Sequence, residues 1–234
     1  LSTSQIATLS TQDLNALSTT QFAVLTSAQA GAITSAQAGA LTTDDLAALS
    51  TASIRALSTA ALAALDSAQL AALGTSSITA LSTQQIANLT TDDLNALSTT
   101  QFAALTSAQV GAITATQADA LTTEDLAAIS ASSLRALSTA ALAILDSAQF
   151  NAMGSAQFNA LSSAQAGAIT TAQAATMTTE DLAALSTAAI RALSTAALNA
   201  LDSTQIPSLG TAQVQALSTS QIATLSTQDL NALS

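Results

Sequence analysis

The stretch Leu1-Ser-Thr-Ser-Gln-Ile-Ala-Thr8 is followed at once by Leu9-Ser-Thr-Gln-Asp-Leu-Asn-Ala16, and this pair sets an eight-residue period. Every eighth residue from Leu1 to Leu233 is Leu, Ile or Met, and 29 complete octads fill residues 1 to 232 of the 234. Position 2 of the octad is Ser, Thr, Asp or Gly throughout, position 5 is mostly Gln or Asp, position 6 is apolar and position 8 is mostly Ala. A fixed short period specifies repeat architecture before anything else. We read residues 1–234 as one octapeptide array.

Each octad announces a helix start. Position 2 carries the residue types whose short side chain or bare backbone suits an N-cap. Three residues on, position 5 is Gln in 16 octads and Asp in six. Ser/Thr-x-x-Gln is a capping box, in which the hydroxyl accepts from the N3 amide and the N3 side chain reaches back to the cap N–H. Asp at the same place is a shorter version that also favours the positive helix end.

A single continuous helix is excluded by geometry. Eight residues at about 100° each overshoot two turns by about 80°, so the Leu row would wander around the helix surface. The spacing therefore predicts one helix per octad over positions 3 to 8, breaking near the position-1 residue. An isolated helix that short is unstable in water, since even Ala-rich sequences need about 12 to 15 residues. Stacking has to hold it. Positions 1 and 6 supply the apolar surface, Ala at position 8 suits close approach between helices, and the variable positions 4 and 7 are expected to face solvent. The predicted class is an all-α repeat solenoid of very short capped helices, with three octads per coil as the preferred arrangement. A β-solenoid is the rival reading, because Ser/Thr-rich short periods also build that fold; the Ala, Leu and Gln content favours helix.

Composition bounds the function. Charged residues make up 7%, with three Arg, no Lys and no His, Cys, Trp or Tyr. General acid–base work leans on His and nucleophilic work on Cys or an activated Ser, so no enzymatic activity is expected. A net charge of -11 argues against nucleic acid, whose phosphates are met by Lys/Arg patches, and against an anionic membrane surface. Apolar residues never run for the ~20 positions of a membrane-spanning helix, so no membrane insertion is expected. No cofactor is expected either.

A larger order overlies the octads. Arg55, Arg135 and Arg191 occupy position 7, and each is followed by an Asp (Asp66, Asp146, Asp202) and then a Gly (Gly74, Gly154, Gly210) at position 2. Aligning these blocks leaves residues 81–104, three octads, without a counterpart after Gly154. Residues 217–234 repeat residues 1–18 letter for letter, which suggests a 216-residue unit tandemly repeated in a longer parent array. The expected partners are adjacent repeats of that parent chain, with self-association through uncapped ends as a further option, since solenoid termini normally carry polar capping repeats.

The candidate sites are few. The acidic pairs Asp44-Asp45, Asp92-Asp93, Glu124-Asp125 and Glu180-Asp181 could collect Ca²⁺, a hard cation satisfied by several oxygens. All sit at positions 4 and 5, the first turn of each predicted helix, where carboxylates favour the helix dipole without any metal. Each Arg has an Asp at position 5 of the preceding octad (Asp45, Asp125, Asp181), so surface ion pairs are expected. Pro207 at position 7 is read as a local defect. Gly31, Gly39, Gly111 and Gly167 fall in octads whose position 6 is Ala or Val, and these thin octads are expected to mark close coil contacts or a shallow groove. A lattice of position-3 hydroxyls raises ice or glycan binding as an alternative.

Strings such as Leu-Thr-Ser-Ala-Gln-Ala-Gly-Ala-Ile and Leu-Ser-Thr-Ala-Ala-Leu-Ala-Ala-Leu resemble the Leu/Ala/Ser/Thr/Gln-rich tandem repeats of very large bacterial surface and secreted proteins of the adhesin-like and haem-utilisation-like kind. The resemblance spans the chain. It implies an extracellular or cell-surface stalk, spacer or filament body, and carries over no functional residues. The alternatives are an extended binding surface for protein, glycan or ice, or a calcium-stiffened rod.

Overall fold

The structure is a computed structural model and describes residues 1–233. The chain divides into two compact units, Leu1–Ala112 and a second beginning at Ile113. Both are built from one short helix per octad, such as Thr3–Thr8, Thr43–Ala48 and Thr99–Ala104 in the first and Ala115–Ala120, Thr171–Thr176 and Thr211–Ala216 in the second. Among the described residues there is no strand, so the β-solenoid alternative falls.

The helices begin where the caps place them. In Thr3–Thr8 the Ser2 side chain accepts from Gln5 N–H while the Gln5 side chain accepts from Ser2 N–H, and the chain leaves the helix at Leu9 in an extended conformation (φ -60°, ψ 142°). Extended backbone at position 1 carries the chain to the next Ser or Thr, so stop and start follow within two residues. Gly octads end sooner: the helices Ser27–Ala30, Ser35–Ala38 and Ser107–Val110 are four residues long. Around Pro207 the α-helix is replaced by a 3₁₀ turn, Ile206–Ser208, because proline has no N–H to donate.

Helices three octads apart pack on each other within each unit, as Ser27–Ala30 does on Thr51–Ala56 and Ser163–Gly167 on Thr187–Ala192. These contacts make each unit a helical solenoid. Position 6 fills its centre: Ile6, Phe22, Leu46 and Phe102 in the first unit, and Leu126, Phe150, Phe158 and Ile190 in the second, are fully buried. Phe150 and Phe158, from adjacent octads, meet edge to face with ring centroids 5.1 Å apart, a favoured aromatic geometry. Position 1 forms a second apolar layer beside this one. Burying a Leu, Ile or Phe contributes about 1.5–3 kcal/mol, which is how helices of four to six residues persist.

Candidate functional site: the polar ladder between coils

Position 5 concentrates the polar chemistry, and its side chain does two things at once. In Gln37, Oε1 accepts from Thr34 N–H at 2.8 Å, closing the capping box, while Nε2 donates to the carbonyls of Ile6 and Leu9 at 2.8 Å each. Gln109 repeats this on Ile78 and Leu81 at 2.7 and 2.9 Å. In the second unit Gln173 bonds Leu142 and Leu145, both at 2.9 Å, and Gln157 bonds Leu126 and Ile129 at 2.8 and 2.7 Å. These amides are buried, with Gln173 1% and Gln109 2% exposed. A buried amide left unpaired is costly, and here both ends are satisfied. Gln205 keeps the arrangement, bonding Ala174 and Met177 at 2.9 and 2.6 Å, although its octad holds the proline turn.

The ladder fits the expected coil. Within each unit helix pairs pack three octads apart, and the carbonyls 28 and 31 residues behind each Gln flank the joint at which the helix three octads back begins. Each helix N-terminus therefore sits over a joint between two helices of the coil before.

Position 7 also departs from expectation. Most of its side chains face solvent, but Asn15 Nδ2 donates to the Ala40 carbonyl at 2.6 Å, Asn151 to Thr176 at 2.7 Å and Asn159 to Ala184 at 3.1 Å, all 25 residues ahead. Where glycine stands instead, the same carbonyl comes closer. A Cβ on Gly39 would lie 2.8 Å from the Ala64 oxygen, and on Gly31 3.1 Å from that of Ala56. The thin octads do mark close coil contacts.

The acidic pairs are split by the fold. Asp45, Asp93, Asp125 and Asp181 are buried, whereas Asp44, Asp92, Glu124 and Glu180 are exposed. The buried oxygens engage their own cap, as Asp45 does with the Thr42 hydroxyl at 2.6 Å and Asp125 with that of Thr122 at 2.6 Å. Among the described residues no three acidic side chains gather as a cation site would require. Burial pushes the Asp125 and Asp181 carboxyls above their ordinary value, against the opposing hydrogen bonds from Thr122 and Thr178. Glu124 is held below its ordinary value by a backbone hydrogen bond and by the Thr123 hydroxyl. Asp202 is held low by the Thr204 hydroxyl, with the amides of Gln205 and Thr204 adding to it. The expected ion pairs are not formed: Asp45, Asp125 and Asp181 turn to hydroxyls of their own octads, and Arg55, Arg135 and Arg191 point to solvent.

Position-2 hydroxyls are engaged in capping, as with Ser98 and Thr106 on the amides of Gln101 and Gln109. A shallow hollow lies beside the first coil, lined by Leu1, Leu17, Gln21, Val24, Leu25 and Gln29. Among the described residues no helix is long and apolar enough to cross a membrane.

Short capped helices, a two-layer apolar centre and a ladder anchored on backbone carbonyls define a tandem-repeat protein of the helical solenoid class. Seven successive matches to the ALTTAQ repeat, at residues 6–43, 40–75, 62–91, 86–123, 119–155, 143–179 and 175–211, show that the chain belongs to that repeat family. No curated protein matches it. Among solved structures, the crystal structure of the leucine-rich repeat-containing protein LegL7 from Legionella pneumophila is similar at 16% identity and a TM-score of 0.25, covering 91% of this chain and 78% of that one.

Proposed function

We propose that the chain is a structural spacer, a stalk or filament-body segment of a large extracellular bacterial protein, and that it performs no catalysis. The observation that carries this reading is the nature of the ladder's acceptors. They are backbone carbonyls at positions 1 and 6, as in Gln37 on Leu9 and Ile6, and every octad has them whatever its side chains. Octads can therefore be added or removed with stacking preserved, which suits a part whose length is its function. The surface location is supported by the composition, poor in charge and free of Cys, and by the resemblance to bacterial surface repeats.

The test is whether span follows octad number. Dyes placed at the exposed residues Ser4 and Ala108, both in the first unit, report its internal separation by energy transfer. Deleting residues 81–104 should shorten the separation, and duplicating them should lengthen it, with the helical circular dichroism per residue unchanged. A separation indifferent to both changes would reject the spacer.

A further inference from the structure

Coils meet across two kinds of seam. Where Asn stands at position 7 the seam is wide enough for long amides: Asn15 reaches forward to Ala40 at 2.6 Å, while Gln37 of the same octad as Ala40 reaches back to Ile6 and Leu9. Asn151 on Thr176, and Gln173 on Leu142 and Leu145, repeat this in the second unit. Where Gly stands at position 7 the backbone itself closes in. An added Cβ would lie 2.8 Å from the Ala64 oxygen at Gly39, 3.1 Å from that of Ala56 at Gly31 and 3.2 Å from that of Ala192 at Gly167. The octads that supply these oxygens carry Ala61, Ser53 and Ala189 at position 5. Ser53 is 1% exposed and the two alanines 0%, so a side chain as long as Gln would overfill the seam. Ser53 gives the spacing directly: its short hydroxyl bonds the Leu25 carbonyl, 28 residues behind, at 2.8 Å, an acceptor that elsewhere takes the whole length of a Gln to reach.

Stacking three octads apart singles out a spacing of 22 residues, from position 7 of one octad to position 5 of the octad stacked on it. At that spacing Gly31 is followed by Ser53, Gly39 by Ala61, Gly111 by Ser133 and Gly167 by Ala189. Only seven of the 29 octads have Ser or Ala at position 5, yet all four glycines draw from them. A coil of two octads would set Gly31 and Gly167 against Asp45 and Asp181, and a coil of four would set Gly39 against Gln69. Three octads alone gives every glycine a short partner. The rule runs one way: Ser77 and Ala197 follow Arg55 and Ala175, since a short residue also fits a wide seam.

We propose that these glycines key the coil, each Gly octad admitting above it only an octad with Ser or Ala at position 5, and so fix which octads stack in an array whose octads are otherwise alike. The apolar residues at positions 1 and 6 recur in every octad and would accept a slip by one octad at little cost. The glycines do not. A slipped Gly octad meets a Gln or Asp, and the seam either overpacks or leaves the glycine facing a gap. Such a penalty on the wrong arrangement specifies the right one. This does not rest on the spacer reading, since it concerns how the chain finds its own register and not what the array does.

Deleting the octad 41–48 tests the key, because it sets Gly39 three octads before Gln69. Urea melts should give a folding equilibrium constant at least about fivefold below that of the 81–88 deletion, which brings no glycine against a Gln. Gly39→Ala should lower the constant in the parent and raise it severalfold in the 41–48 deletion, where the seam is wide. In the full chain, Gly39→Ala and Ala61→Gln should each cost at least about fivefold, and the two together clearly less than the product of the single losses, because the widened seam takes the amide. A Gly39→Ala change that is harmful in both backgrounds overturns the proposal. So do single losses that simply multiply in the double variant.

Discussion

Asn151 donates its side-chain amide to the carbonyl of Thr176, 25 residues ahead, at 2.7 Å, in the same octad whose Gln149 donates to Leu121, 28 residues behind, at 2.8 Å. One helix of five residues, Ser147–Asn151, is thus laced to the coils on both sides. The position-5 contact recurs along both units, and the position-7 contact is made by Asn15 in the first unit and by Asn151 and Asn159 in the second. Stability in this fold should accordingly be sensitive to single amides.

Gln173→Ala removes two donations to Leu142 and Leu145 and the acceptor for Thr170 N–H. At about 1 kcal/mol for each buried neutral hydrogen bond, the loss is on the order of 3 kcal/mol. Gln173→Glu keeps the capping oxygen but turns a carboxylate toward two carbonyls. Urea melts at neutral pH should rank the parent above Ala and Ala above Glu. The Glu variant should recover as pH falls, since its folded pKa is raised and its stability is present below and lost above it. A Glu variant as stable as the parent at neutral pH would show that the ladder does not hold the coils.

Gly39 has φ -65° and ψ -14°, values any residue adopts in a helix, so propensity alone predicts a gain for Gly39→Ala. The Ala64 carbonyl at 2.8 Å from the new Cβ reverses that, and overpacking against backbone costs about 1–3 kcal/mol. Gly74 is an N-cap with open space around it, and Gly74→Ser should gain a few tenths of a kcal/mol, or roughly that, from the cap. Opposite shifts in melting midpoint are expected. Two shifts of the same sign would remove the close-approach explanation.

Asp125 and Asp181 carry raised pKa values, so their folded forms hold protons more tightly than the unfolded chain. The stability they contribute is full below the unfolded pKa and is lost as pH rises through the folded one. Glu124 and Asp202, held low, act in the opposite sense and lose their contribution as pH falls through their folded values. Asp181→Gln removes the buried charge and sets an amide 31 and 28 residues after Phe150 and Met153. It should raise stability at neutral pH and remove part of the gain on acidification. A variant less stable than the parent at pH 7, or one with the parent's pH slope, would contradict this account.

Because the ladder joins position 5 to positions 6 and 1, register depends on whole octads and not on whole coils. Deleting residues 81–88 should therefore be tolerated about as well as deleting 81–104. Deleting only 81–84 removes Leu81 and the Ser82 cap and sets each later cap out of phase with its apolar partner. Thermal melts should show two small losses and one large one. Equal losses for the 81–84 and 81–88 deletions would discard the octad as the unit of packing.

Much of this was legible in the residues. Ser2 with Gln5, and Leu1 with Ile6, give the cap, the helix length and the two apolar layers from local spacing alone. The second task of the glutamines left a signal too: Glu never occupies position 5, although a capping box takes Glu as readily as Gln and Glu suits the helix dipole better. Gln in 16 octads against no Glu marks the need for an N–H donor. The acceptors of the ladder left no such trace, because an octad period describes the local repeat and not which carbonyls the stacked coils bring beneath each amide. The same holds for Asn15 and Gly39, whose carbonyl partners lie 25 residues away and become neighbours only after the coil has closed.

The placement of Gln37 at the start of its helix, over the joint between Ile6 and Leu9, is that of a staple driven across a seam. Because helices stack three octads apart, the joints of successive courses line up, and a wall laid that way cracks along its mortar line. Here one amide grips the carbonyls on both sides of the joint beneath it, so within either unit the seam is closed at each course that carries Gln.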